Sequence, residues 1–151
     1  MVRWCQHRQG GAAEMEILVI DGQGGGLGRQ LVAALRKAMP ETALMAVGTN
    51  SAATEAMRKA GASRAATGEN AVAVACRRAD VIVGPLGIVM ADALLGEITP
   101  AMALAVARSR ARRVLVPTNR CDTLVVGVAA GSMTALVQQA VDEVQAVCAG
   151  R

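Results

Sequence analysis

Apolar residues fall along this chain in short continuous blocks that alternate with stretches of helical spacing. The blocks Glu16 to Ile20, Thr42 to Val47, Val81 to Val83 and Arg113 to Val116 are not interleaved with polar positions. That is the pattern of parallel strands covered on both faces. After the first block, Leu27, Leu31, Leu35 and Met39 recur every four residues with Val32 beside them, and Pro40 follows. This predicts a helix with one apolar stripe and a proline stop. A second helix is expected from about Ser51 to Ala60, closed by Gly61, a residue suited to helix C-termini. A weaker strand at Ser63 to Thr67 and an Ala-rich helix at Ala71 to Ala79 come next.

Beyond the Val81 block the pattern predicts a helical stretch from about Val89 to Leu95 and a further helix from Thr99-Pro100 to about Arg108. Thr99 is its expected N-cap and Pro100 its first helical residue. The last helix, from about Ser132 to Cys148, places Val137, Val141, Val144 and Cys148 on one face. The run Thr123 to Val128 follows the Arg113 block too soon for the crossover of a dozen or more residues that a parallel neighbour requires. It is expected to pair antiparallel at a sheet edge. Together these elements predict an α/β, Rossmann-like, doubly wound and mainly parallel sheet, with helices on both faces and an antiparallel edge strand. A single such domain is expected over residues 15–151.

Residues 1–14 have no apolar periodicity and carry Arg3, Arg8 and Gly10-Gly11. A disordered extension is expected there. It lacks the apolar core of a signal peptide, and Met15, directly before the first strand, is a candidate native start.

Composition narrows the chemistry. Hydrophobic residues make up 53% of the chain, enough for a substantial core, yet aromatics amount to 1%, with Trp4 alone and neither Phe nor Tyr. No tyrosine acid or base is available, and no aromatic platform exists for stacking nucleic-acid bases. The only histidine, His7, lies in the extension, so a histidine metal site or histidine-based triad cannot be assembled from one chain. Cys5, Cys76, Cys121 and Cys148 contain no Cys-x-x-Cys pair and suggest neither a disulfide framework nor zinc. A reducing cytoplasm is the expected setting. No apolar run reaches the roughly 18 residues of a membrane span, and no membrane partner is expected. The net charge is +4, with Arg77-Arg78 and the group Arg108, Arg110, Arg112 and Arg113 at the amino ends of strands. Solvation and helix-dipole complementarity account for these cations, so nucleic acid is not an expected partner.

The most chemically informative stretch is Ile20-Asp21-Gly22-Gln23-Gly24-Gly25-Gly26-Leu27-Gly28. It reads as strand, glycine loop and helix, an arrangement that lets backbone N–H groups and the positive end of a helix approach a phosphate. Ligands of open α/β sheets bind beyond the carboxyl ends of the strands. Those ends collect Gly48-Thr49-Asn50, Thr67-Gly68-Glu69-Asn70, Gly84-Pro85 and Thr118-Asn119-Arg120-Cys121. Turn and cap preferences explain the same residue types without a ligand, but convergence on one crevice favours a site. Its expected contacts are Gly22, Gly24, Gly26, Leu27, Gly28, Thr49, Asn50, Gly84, Asn119 and Arg120. Arg120 supplies a guanidinium suited to phosphate. No metal ligand is assigned.

The spacing Gly22-x-x-x-Gly26-x-Gly28 is similar to the loop of short-chain dehydrogenases, over the first strand, loop and helix to about Leu35. That resemblance makes NAD or NADP the candidate cofactors, but the family's Tyr-x-x-x-Lys cannot exist without tyrosine. Where a dinucleotide fold places an acidic ribose ligand, this chain offers Thr49, Asn50 and Ser51. A P-loop alignment puts Arg29 in place of the lysine and Gln30 in place of the magnesium-binding hydroxyl, which argues against triphosphate hydrolysis.

Further segments, Gly48-Thr49-Asn50-Ser51-Ala52-Ala53-Thr54, Ala66-Thr67-Gly68-Glu69-Asn70, Gly84-Pro85-Leu86-Gly87-Ile88, Leu94-Leu95-Gly96-Glu97-Ile98-Thr99-Pro100 and Pro117-Thr118-Asn119-Arg120-Cys121, join the glycine loop in a specific likeness. Together they resemble a bacterial domain-of-unknown-function family of small Rossmann-like proteins. The resemblance runs from Met15 into the last helix and implies a fold but no activity.

The expected partner is thus a nucleotide, dinucleotide or other phosphate-bearing small molecule. One alternative is a small enzyme acting on a phosphorylated metabolite through Cys121, Asp21 or Glu69. Another is a non-catalytic interaction subunit whose glycine loop is structural. Ala-rich helices also make a homodimer a candidate assembly. Of the remaining carboxylates, Glu69 is expected to favour a helix N-terminus, Asp92 to face solvent and Glu97 to satisfy nearby backbone donors.

Overall fold

The computed structural model describes residues 14–118, 122–129 and 131–150. Residues 1–13 of the expected extension over 1–14 and the loop residues Asn119, Arg120 and Cys121 lie outside the described residues. Five strands, β1 (Glu16–Asp21), β2 (Ala43–Gly48), β3 (Arg64–Thr67), β4 (Val81–Pro85) and β5 (Arg112–Val116), alternate with helices. The helices are α1 (Gly26–Ala38), α2 (Ser51–Lys59), α3 (Glu69–Cys76), α4 (Pro100–Arg108) and α5 (Met133–Ala149). The strands form one sheet in the order β3-β2-β1-β4-β5, and every pairing is parallel.

Alternate residues of the buried strands feed two cores. Ile17 and Val19 point to the face covered by Leu31, Val32 and Leu35 of α1, Met57 of α2, and Val137, Val141 and Val144 of α5. Leu18 and Ile20 point to the opposite face, with Val72 of α3 and Met102 and Val106 of α4. Central strands buried on both faces have no polar side to alternate with, which is why their sequences read as unbroken apolar blocks. Helix starts follow local chemistry. Asn50 accepts from the Ala53 N–H at 2.9 Å, Thr99 from Met102 at 3.1 Å and Ser132 from Ala135 at 3.2 Å, each satisfying a donor that the first turn leaves open.

Two expectations are corrected. Thr123 to Val128 forms no antiparallel edge strand; it runs as irregular chain with a turn at residues 126–127. Leu124 and Val126 are 95% and 98% exposed, so the apolar run reports neither a strand nor a core. The segment instead crosses the carboxyl end of the sheet. The helix expected at about Val89 to Leu95 is a single 3-10 turn, Leu86–Val89, followed by irregular backbone. Asp92, Leu94, Leu95 and Gly96 all have positive φ, and the Asp92 N–H donates to Ile98 O at 2.7 Å. Right-handed helix is excluded by that path, which drops Leu94 into the core and delivers Glu97 to the glycine loop. Tertiary contacts here override local spacing.

Candidate functional site

The glycine loop leaves β1 at Asp21, a residue only 5% exposed. Its Oδ1 accepts from the Gly22 N–H at 2.8 Å and its Oδ2 from the Gly28 N–H at 2.6 Å. Gly25, the residue preceding α1, has no side chain with which to cap it. A strand carboxylate therefore performs the capping, and its charge suits the positive end of the helix. The turn closes by a bond from the Gly25 N–H to Gly22 O at 2.9 Å. Gly25 has φ +70, and a Cβ there would lie 2.8 Å from the Ala53 Cα. Backbone sign and α1–α2 contact both require glycine at that position.

Gln23 is also left-handed, with φ 52, and Glu97 holds it there. The Glu97 Oε2 accepts from the Gln23 N–H at 2.6 Å, from the Thr49 hydroxyl at 2.5 Å and from the Asn50 amide at 3.2 Å. Asn50 also donates to Gln23 O at 2.9 Å. The ends of β1 and β2 and the loop before α4 are thereby tied together. Burial by itself would raise the Glu97 carboxyl, but donation from Gln23, Thr49 and Asn50 outweighs it and holds the group below its ordinary value.

A folded carboxyl more acidic than its unfolded counterpart contributes stability above the unfolded pKa of about 4.3 and loses it as pH falls through the folded value. Urea midpoints measured from about pH 5 to pH 3 should therefore fall more steeply for the wild type than for Glu97→Gln. Parallel curves for the two proteins would contradict this role for the carboxylate.

With Gln23 and Gly25 occupied, and Gly28 bonded to Asp21, the N–H groups of Gly24, Gly26 and Leu27 donate no hydrogen bond to the described residues. These residues border a cavity of about 820 Å³. Its walls also include Gln30 of α1, Pro85 at the end of β4, Pro117 and Thr118 after β5, Thr123 to Val125 with Val128 and Ala129, and Met133 and Leu136 of α5. It lies at the carboxyl ends of β1, β4 and β5, where the strand order reverses direction, the usual ligand position in this architecture. Asp21 is the only ionisable residue among the described walls.

Of the residues expected from sequence, Gly22, Gly24, Gly26 and Leu27 line this cavity. Gly28 packs behind it, where a Cβ would lie 2.6 Å from Met57 Sδ and 2.7 Å from Asp21 Cβ. Thr49 and Asn50 stand against the far side of the loop with their side chains engaged by Glu97. Gly84 is packed against the Ile20 carbonyl oxygen rather than lining the cavity. Glu69 begins α3 and accepts from the Thr99 hydroxyl at 2.5 Å. Glu97 accepts a backbone donor, as its sequence context suggests, but its pairing with Gln23 across 74 residues has no local signature. Leu94, Met133 and Leu136 are wall residues that periodicity assigns only to a helix face or core. Gln30, one helical turn beyond Gly26, is the wall residue that helical spacing could have found.

Burial pushes the Cys76 thiol up to about 11, which leaves it un-ionised at neutral pH. Among the described residues, no cluster of three or more His, Cys, Asp or Glu side chains can hold a metal ion. No helix among them is long and apolar enough to cross a membrane.

A parallel five-stranded sheet, helices on both faces and a glycine loop at the strand-order reversal define a Rossmann-like α/β protein. The chain belongs to the family described as Domain of unknown function (DUF3842), whose model matches residues 16–149. No curated protein matches it. A solved structure similar to it is the dodecameric FMN-dependent UbiX-like decarboxylase from Escherichia coli O157:H7, 20% identical, with 87% of this chain and 76% of that chain covered and a TM-score of 0.44. A likeness that loose transfers neither ligand nor reaction nor assembly.

Proposed function

We propose that this protein binds a nucleotide or other phosphate-bearing small molecule, with its phosphate on the N–H groups of Gly24, Gly26 and Leu27. The observation that carries this reading is the character of two glycines. A Cβ built on Gly24 or Gly26 would meet no atom of the described residues within 4 Å, and neither residue has positive φ. Neither packing nor backbone conformation demands glycine there, whereas close approach of a ligand to the helix end does. Asp21 already compensates part of the α1 dipole, so a phosphate gains less from it than at an uncapped helix. For that reason Arg120 remains the proposed cationic contact, with Asn119 beside it. NAD and NADP, the dinucleotides that the loop's resemblance implies, are included in the test, and the chemistry of short-chain dehydrogenases is not proposed.

A thermal-shift panel of NAD, NADP, ATP, FMN, FAD, S-adenosylmethionine and sugar phosphates tests the reading. At about 100 times its Kd, a ligand stabilises the folded state by about 2.7 kcal/mol. For a chain of this size the melting temperature should then rise by roughly 5–10 °C. A panel without any stabilising phosphate compound would favour a structural glycine loop instead.

A further inference from the structure

The cavity lies on one side of the glycine loop only. Its walls come from β1, α1, the ends of β4 and β5, the chain leading into α5 and α5 itself, together with Leu94; none comes from β2, α2 or β3. In dinucleotide folds the adenosine ribose sits over the carboxyl end of the second strand, beside the glycine loop. Here that position is filled. A Cβ on Gly22 would lie 2.6 Å from Glu97 Oε2, 2.7 Å from Thr49 Oγ1 and 2.9 Å from Leu94 Cδ1, so these groups already rest directly on the loop.

We propose that the site takes a ligand with a single phosphate, a mononucleotide or another phosphate monoester, and excludes dinucleotides, with Glu97 as the residue that determines this choice. The proposal rests on the reading of the glycine loop as a phosphate site and adds a limit on the group that the phosphate carries.

Two physical effects set that limit. To enter over β2, an adenosine half has to displace Glu97, which leaves the Gln23 N–H, the Thr49 hydroxyl and the Asn50 amide without their shared acceptor. Half-buried donors that lose this acceptor oppose binding. A second phosphate would also stand close to the Glu97 carboxylate, and like charges disfavour one another. On the open side the remaining walls are largely apolar, from Pro85, Pro117, Leu124, Val125 and Leu136. They suit an uncharged base or apolar body attached to one phosphate.

Titration calorimetry on the full chain with matched pairs decides the matter. FMN is compared with FAD, and nicotinamide mononucleotide with NAD; glycerol 3-phosphate serves as a monoester without a base. At least one monophosphate should bind, at least about tenfold more tightly than every dinucleotide. Glu97→Ala should narrow that gap by admitting the second half. If this variant fails to fold, the wild-type pairs decide alone. A dinucleotide binding within tenfold of the best monophosphate overturns the inference and leaves the glycine-loop reading standing. Failure of every phosphate compound removes both.

Discussion

Gly26→Val should abolish phosphate-ligand binding, raising Kd at least about 100-fold, while the protein stays folded. The Gly26 Cβ position is open among the described residues and its φ is not left-handed, so the substitution meets no backbone strain and its Cβ no close neighbour there. Valine at the first position of α1 changes stability only by helix propensity, a few tenths of a kcal/mol. Its branched side chain, however, stands where a phosphate must approach the Gly24, Gly26 and Leu27 N–H groups. Hydrogen bonds to a charged group contribute about 1.5–3 kcal/mol each, and loss of one or two corresponds to the stated hundredfold change. Calorimetry of the best panel ligand, beside urea unfolding, measures both quantities. A folded variant with unchanged affinity would move the phosphate away from this loop.

Gly84→Ala should act in the opposite way, destabilising the fold by about 3 kcal/mol, at the upper end of overpacking costs, and lowering the melting temperature by roughly 6–12 °C. A Cβ there would collide with the Ile20 carbonyl oxygen and come 3.0 Å from Ile88 Cδ1. The first of these is backbone of the neighbouring strand. β1 and β4 are paired in register from Ile17↔Val81 to Val19↔Val83, and moving either one disturbs the ladder at the centre of the sheet. Gly24→Ala, which meets none of the described residues, is the matched control and should lie within about 0.5 kcal/mol of wild type. Equal unfolding midpoints for the two variants would show that β4 relaxes freely and that the close approach is not a constraint.

Much of the architecture was legible because burial on both faces leaves a plain record. The blocks Glu16 to Ile20 and Thr42 to Val47 correspond to β1 and β2, and the fourfold spacing of Leu27, Leu31 and Leu35 corresponds to the buried stripe of α1. Thr99-Pro100 marked the start of α4 because capping and proline geometry are local effects. The two misread segments share one cause. Thr123 to Val128 and Val89 to Leu95 are apolar, and apolar content alone does not distinguish a strand or helix from the wall of a cavity. Leu124, Val125 and Leu94 line that wall, and Leu124 is otherwise open to solvent.

The sequence by itself determined the alternation of strands and helices, the glycine loop with Asp21 before it, and the absence of tyrosine chemistry, since each depends on residues adjacent in the chain or on composition. Tertiary structure alone decided which glycines serve the fold and which face open space. Gly22, Gly25, Gly28 and Gly84 have close neighbours from Thr49, Ala53, Met57 and Ile20, while Gly24 and Gly26 have none among the described residues. It also brought Glu97 onto Gln23 across 74 residues. A carboxylate carries no local mark of the distant amide that it will accept from, so the pairing becomes visible only when the chain is folded.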